Sequence, residues 1–138
     1  MIQRQSHTTV YVLDQEKARE FYCDKLGFEV RADFSMEAGF RWLTVGPPGQ
    51  PDFHIVLAQV SEGPMMDGGT ATKLRELVSN GALGIGVFDT ADCKATFEEL
   101  SAKGVEFTMP PTERFYGIEA LGKDDSGNWF SLTQRKPK

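Results

Sequence analysis

Two imidazoles occur in the chain, His7 and His54, and each stands in a run that alternates with apolar residues: His7-Thr8-Thr9-Val10-Tyr11-Val12 and Phe53-His54-Ile55-Val56-Leu57-Ala58. A neutral imidazole binds divalent metals, and near neutral pH the same ring takes or gives a proton. With a carboxylate such as Glu119 or Glu113, two histidines would suffice for Fe(II), Mn or Zn. Without a metal, His7 or Glu119 could act as a general base. Other chemistries lack their residues. No Ser-His-Asp arrangement with readable spacing occurs, and there is no CxxC pair. The glycine-rich phrase Gly81-Ala82-Leu83-Gly84-Ile85-Gly86 begins a strand, whereas a phosphate loop needs a strand-to-helix turn. Cys23 and Cys93 fall inside predicted helices and read as small buried thiols of a reducing compartment.

The elements that must position these residues are written twice. At an offset of 75 residues, Val10-Tyr11-Val12-Leu13-Asp14 falls on Ile85-Gly86-Val87-Phe88-Asp89, and Leu57-Ala58-Gln59 falls on Leu132-Thr133-Gln134. Each copy places an alternating strand first, then an aspartate able to cap a helix, then a helix closed by glycine. The first helix is expected over 15–25, with Asp14 as cap, Gly27 as stop and Ala18, Phe21, Tyr22 and Leu26 on one buried face. The second takes Asp89 or Thr90 as cap and Gly104 as stop, with Cys93, Phe97 and Leu100 inward. Three strand-like runs follow each helix: 28–34, 40–45 and 53–60 in the first copy, then 105–109, 115–121 and 128–133 in the second, the last set broken by Pro110-Pro111 and by 123–127. Each half is therefore β-α-β-β-β. The modules run from about 6–60 and 81–135 within one domain of 1–138. A loop and short helix over 61–80 connect them, with helix expected at 73–79 and Met65-Met66 as an apolar lid contact or a simple linker.

With 138 residues, a domain of this size withdraws roughly two-thirds of its unfolded surface from water and needs no metal staple. Fifteen Lys and Arg against twenty Asp and Glu give a net charge of -5, which argues against nucleic acid, where clustered cations must displace counterions. The one basic cluster, Arg135-Lys136-Pro137-Lys138, reads as a solubilising terminus. No stretch approaches the roughly 18 apolar residues of a membrane span, and residues 1–6 lack the apolar run of a signal peptide, so the expectation is a cytoplasmic protein without a membrane partner.

Duplicated βαβββ modules, a histidine opening the first strand, the phrase Ala18-Arg19-Glu20-Phe21-Tyr22 running to Leu26-Gly27-Phe28, and the turn Asp125-Ser126-Gly127-Asn128 together resemble the vicinal oxygen chelate superfamily. That superfamily groups glyoxalase I, bleomycin-resistance proteins, fosfomycin-resistance enzymes and extradiol dioxygenases. The resemblance runs from about residue 6 to 135. It implies an α+β fold whose two modules form a cup-shaped mixed sheet, often completed across a homodimer. It also implies, for the metalloenzymes, ligands from the first and fourth strands of each module. His7 matches the first ligand; the other positions fall on Val56, on Ala82 or Leu83, and on Ser131. Valine and alanine coordinate nothing, and a neutral serine hydroxyl is a poor ligand for a divalent ion.

Strand parity then describes what the cup holds. Side chains alternate faces, so His7, Thr9 and Tyr11 share the face away from apolar Val10 and Val12. The same parity turns His54, Val56 and Ala58 inward, then Ala82, Gly84 and Gly86, then Trp129, Ser131 and Thr133. Trp42 and Tyr116, on neighbouring strands, add aromatic surface. Gly84 and Gly86 imply either room for a planar ligand or close packing of modules or of a dimer partner. Glu113, Glu119, Asp124 and Asp125 would favour a cationic ligand, or are simply solvated.

The expected ligand-binding set is His7, Thr9, Tyr11, Trp42, His54, Val56, Tyr116, Glu119, Trp129 and Ser131. Apolar walls with a few placed polar groups are the pattern of a small-molecule site. The expected function is binding of an aromatic or amphipathic compound, an antibiotic or other secondary metabolite, by a homodimer that uses no cofactor. The alternatives are a metal-dependent lyase or dioxygenase with a divalent metal at His7, and a metal-free isomerase.

Overall fold

Asp14 begins the first helix as its position predicts: it is extended and its carboxylate accepts the Lys17 backbone N–H at 3.0 Å. The computed structural model describes residues 1–137; Lys138, the end of the basic tail, lies outside the described residues. In chain order the elements are β1 (His7–Val12), α1 (Gln15–Glu20) continued by one wide π-turn over Phe21–Lys25, β2 (Glu29–Ser35), β3 (Arg41–Gly46) and β4 (His54–Gln59). Helix α2 (Gly68–Ser79) leads to β5 (Gly84–Asp89), α3 (Cys93–Ala102), β6 (Glu106–Arg114), β7 (Gly117–Lys123) and β8 (Trp129–Arg135). This is an α+β fold of two tandem βαβββ modules. Their sheets have orders β1-β4-β3-β2 and β5-β8-β7-β6, parallel between the first two strands named and antiparallel elsewhere. The chain divides into two compact units, Met1–Glu76 and the remainder from Leu77.

Within each unit the helix covers one sheet face. In the first, Ala18, Phe21 and Tyr22 are buried with Val10, Val12, Leu43, Val45, Ile55 and Leu57, and Leu26 is half-buried. In the second, Cys93 and Leu100 are buried, and half-buried Phe97 meets Phe107 edge to face at 4.7 Å; Phe107 and Phe88 both meet fully buried Phe130. Removing one such aromatic side chain from water contributes about 1.5–3 kcal/mol.

The repeated glutamine explains why the halves resemble each other. At the end of β4, the Gln59 side-chain oxygen accepts the Gln15 N–H of α1 at 3.1 Å, and its amide donates to the Leu13 carbonyl at 2.6 Å. On β8, Gln134 likewise accepts the Cys93 N–H of α3 at 2.9 Å. A helix start has backbone donors with no partner inside the helix, and in both units the fourth strand supplies one acceptor.

Several expected boundaries are corrected. The cap of α3 is Asp92, not Asp89 or Thr90: its carboxylate accepts the Ala95 N–H, while Asp89 still pairs with Thr133 in the ladder and the Thr90 N–H continues to the Thr133 carbonyl. Pro110-Pro111 does not end a strand, because β6 lies at the sheet edge, where a register shift absorbs residues that cannot donate. Phe115 and Tyr116 form the β6–β7 turn rather than the start of a strand. Helix α2 starts at Gly68 instead of 73, since the Asp67 carboxylate accepts the Thr70 N–H at 2.7 Å. In β5 the ladder slips between Gly84 and Val87, and Gly86 sits there with φ 123°. Opposite residues share a face, so Val87, paired with Ser131, takes the place expected for Gly86.

Because Gln59 makes two bonds at its helix start and Gln134 one, Gln59→Ala should cost about 1–2 kcal/mol and Gln134→Ala about 1 kcal/mol. Urea unfolding measures both; equal, negligible losses would remove the latch.

Candidate functional site

The sheet faces turned away from the helices carry nearly all the expected site residues. On the first unit these are His7, Thr9 and Tyr11 of β1, His54, Val56 and Ala58 of β4, and Trp42 and Thr44 of β3, with Ala32 and Phe34 of β2 opposite Thr44 and Trp42. His7 and His54 are direct partners in the parallel ladder, and their rings stack at 4.5 Å between centroids and 14° between planes. The Ser6 hydroxyl fixes the His7 ring through Nδ1 at 2.7 Å. The Trp42 ring lies 6.1 Å from that of His7.

That stack sets how the pair presents its ring nitrogens. A ligating nitrogen points its lone pair within the ring plane and holds a zinc-like ion about 2.0–2.1 Å away. Two nearly parallel rings, one above the other, cannot both place one ion in their planes. As stacked, His7 and His54 do not converge on one ion. The positions that the resemblance assigns to ligands fit no better: Val56 and Ala82 have no donor atom, and Ser131 gives its hydroxyl hydrogen to Glu119. Among the described residues no cluster of three or more His, Cys, Asp or Glu is arranged to hold an ion.

On the second unit the corresponding face carries one carboxylate, Glu119, with Leu121, Trp129, Lys123 and Arg114. Glu119 of β7 stands opposite Thr133 of β8; one carboxylate oxygen accepts the Ser131 hydroxyl at 2.5 Å and the other accepts the Tyr116 hydroxyl at 2.5 Å. Since Ser131 donates to Glu119, its 2.7 Å contact with Thr133 Oγ1 must be accepted by Ser131 and donated by Thr133. Arg114 Nε lies 3.9 Å away. The Ser131 bond first and then the Tyr116 bond hold the Glu119 carboxyl below its ordinary value against the opposing effect of burial, and the Arg114 charge adds the smallest lowering. The same carboxylate pushes the Tyr116 hydroxyl up. Tyr116, though in a turn, thus reaches the site expected of it. Glu113 does not: it pairs with Ile118, on the face opposite Glu119, and lines a shallow cleft with Arg114, Arg135 and Lys136.

Trp129 is 40% exposed and packs over Gly84, where an added Cβ would come within 2.6 Å of the indole. Neither of the two reasons weighed for Gly84 is what the structure shows there: the Trp129 ring of the neighbouring strand takes the space a Cβ would fill. Cys93 is buried, Cys23 is half-buried, and burial pushes both thiols up, which leaves them poor nucleophiles. The structure adds one residue absent from the expected set and reassigns another. Thr44 shares the open face two positions from Trp42, a placement that strand parity alone could have shown. Asp124 is buried in the β7–β8 turn, where one carboxylate oxygen takes the backbone N–H groups of Ser126, Gly127 and Asn128. Asp124 is therefore a structural group, not a solvated charge or an attractor of cations.

Residues 4–132 match the family model described as the Glyoxalase/Bleomycin resistance protein/Dioxygenase superfamily. The chain is similar to UcmS2, whose crystal structure is 46% identical with a TM-score of 0.91, covering 96% of this chain and 98% of that one. It is also similar to TnmS3, an antibiotic binding protein from Streptomyces sp. CB03234, at 31% identity and a TM-score of 0.75 over 98% of each chain. The uncharacterized protein YetH of Bacillus subtilis (strain 168) is 31% identical over 134 residues, covering 97% of this chain and all of its own. No helix of the described residues is long and apolar enough to cross a membrane.

A carboxyl held low in the folded state adds stability above the unfolded carboxylate pKa and loses it as pH falls through the folded value. Ser131→Ala removes the largest cause, so its destabilisation should be greatest near pH 7 and shrink as pH falls below the carboxylate range. Urea unfolding at pH 7 and pH 3 checks this; an equal difference at both would show that Ser131 acts by packing alone.

Proposed function

This chain belongs to the glyoxalase/bleomycin resistance protein/dioxygenase superfamily, and from that premise we propose that it is a small-molecule binding protein that holds an aromatic or amphipathic compound without a metal. The observation that carries the reading is the make-up of the open sheet faces: of the superfamily's ligand positions His7, Val56, Ala82 or Leu83, and Ser131, only His7 keeps a strong metal donor, and flat rings and hydroxyls stand around them. His7, His54, Trp42 and Tyr11 supply rings in the first unit, with Thr9 and Val56 between them. Trp129 supplies one in the second, beside Ser131, Tyr116 and Glu119. Apolar planes give area, and the few polar groups give orientation.

The antibiotic binding of TnmS3 supports a natural product of that class as the ligand here. Glu119, held ionised and countered by one distant guanidinium, supports a ligand that brings an N–H, an O–H or a cation to that end. Exposed Phe34, Met36 and Phe40 support assembly as a homodimer, because apolar side chains grouped on one hairpin are costly to leave in water. Reading the protein as a cytoplasmic sequestering agent completes the proposal.

Equilibrium dialysis against a panel of aromatic antibiotics tests the reading. Trp129→Ala should weaken a bound member by about 1–3 kcal/mol with the fold intact. Unchanged affinity would remove Trp129 from the site, and no binding across the panel would remove the antibiotic. Elemental analysis of untagged protein should find no stoichiometric divalent metal. One equivalent that disappears in His7→Ala would instead make His7 a metal ligand.

A further inference from the structure

Thr44 is an exception to the rule that buried polar atoms are paired. It is 1% exposed in the middle of β3, and its Oγ1 has no hydrogen-bond partner among the described residues. Leaving a hydroxyl buried and unpaired costs about 1–3 kcal/mol, so such an atom calls for a reason. A valine of nearly the same shape would avoid the cost, and valine already occupies the next position, Val45.

The register shows where this hydroxyl sits. Thr44 lies opposite Val56, which lies opposite Thr9, so the three form one row across the open face of the first unit. His7 and His54 form a row to one side of it, two residues away along the strands. Trp42 stands two residues to the other side, yet its ring centroid is 6.1 Å from that of His7. The indole therefore leans across the Thr9-Val56-Thr44 row. This accounts for the burial of Val56 and Thr44 on a face where Thr9 and Tyr11 are exposed. An indole on an open face turns on the timescale of side-chain rotation, and turning it outward bares the row.

We propose that Thr44 is the specificity-determining polar group of the first unit, and that its hydroxyl hydrogen-bonds a neutral oxygen or nitrogen carried on a planar aromatic ligand lying against Trp42 and the His7–His54 pair. The inference rests on the small-molecule binding reading above and adds the class of ligand. The polar atom is neutral because the row holds only Thr9, Val56, Thr44 and Ala32, and a lone hydroxyl does not compensate a buried charge. Thr44 both donates and accepts, so a phenol, a ring carbonyl or a ring nitrogen satisfies it. A site with a buried hydroxyl to satisfy discriminates against an analogue of the same shape that lacks the partner.

The test uses 1-naphthol and naphthalene as probes, with binding measured by equilibrium dialysis and stability by thermal unfolding. The full chain should prefer 1-naphthol by about five- to tenfold, the worth of one hydrogen bond. Thr44→Val should abolish the preference and not lower the unfolding midpoint, while Thr44→Ser should keep the preference. A preference that survives in Thr44→Val would overturn the assignment and leave ligand binding standing. A midpoint several degrees lower in Thr44→Val would also overturn it, by showing that the hydroxyl is satisfied within the fold. If the full chain binds neither probe, the aromatic-ligand reading fails and the role of Thr44 with it.

Discussion

A four-stranded sheet that receives a single helix can hide only one of its faces, and the rest of this molecule follows from that constraint. In each unit the helix takes the face of Val10, Val12, Leu43 and Val45, or of Phe88, Phe130 and Leu132, and the other face is left with every second residue of each strand. Those residues are the chemically distinctive ones: both histidines, both tryptophans, Glu119 and the strand hydroxyls. Fold and site are thus two readings of one alternation. The glutamine latch at Gln59 and Gln134 seats each helix on its sheet, so it also determines which face stays open.

The two open faces differ in electrostatic character. That of the first unit is aromatic, with the Arg31–Glu29 ion pair at its β2 edge, and its Thr44 hydroxyl has no hydrogen-bond partner among the described residues. That of the second is organised by one carboxylate, which takes the Tyr116 hydroxyl on one oxygen and, on the other, the Ser131 hydroxyl that itself accepts from Thr133. Such a chain keeps a negative charge in place at little cost, because each donor is already oriented. As stacked, the imidazoles of the first face do not converge on one ion.

Much of this was legible in the chain. The offset of 75 residues located both modules, and parity put His7, His54, Trp129 and Ser131 on the correct face, because a buried helix-facing row tolerates only apolar residues and so reveals its opposite. The failures have a common physical source. Val87 replaces Gly86 on the open face because β5 contains a bulge, and Asp92 replaces Asp89 as a cap because Asp89 is still paired with Thr133; both are properties of two strands rather than of one. Pro110-Pro111 was read as a break because the edge position of β6 could not be known. Glu113 was grouped with Glu119 although register places them on opposite faces.

By itself, the sequence determined the two βαβββ modules, the residues able to do chemistry and the shortage of metal donors, since these depend on residue type and on periodicities of two and 3.6. Tertiary structure alone decided how those residues meet: that the imidazoles stack instead of converging, that Trp129 fills the space over Gly84, that Asp124 closes a turn and that Thr44 is buried without a partner. Each of these depends on interstrand register and on the direction in which a side chain leans, and both are set by the residues across the sheet, which local sequence does not name.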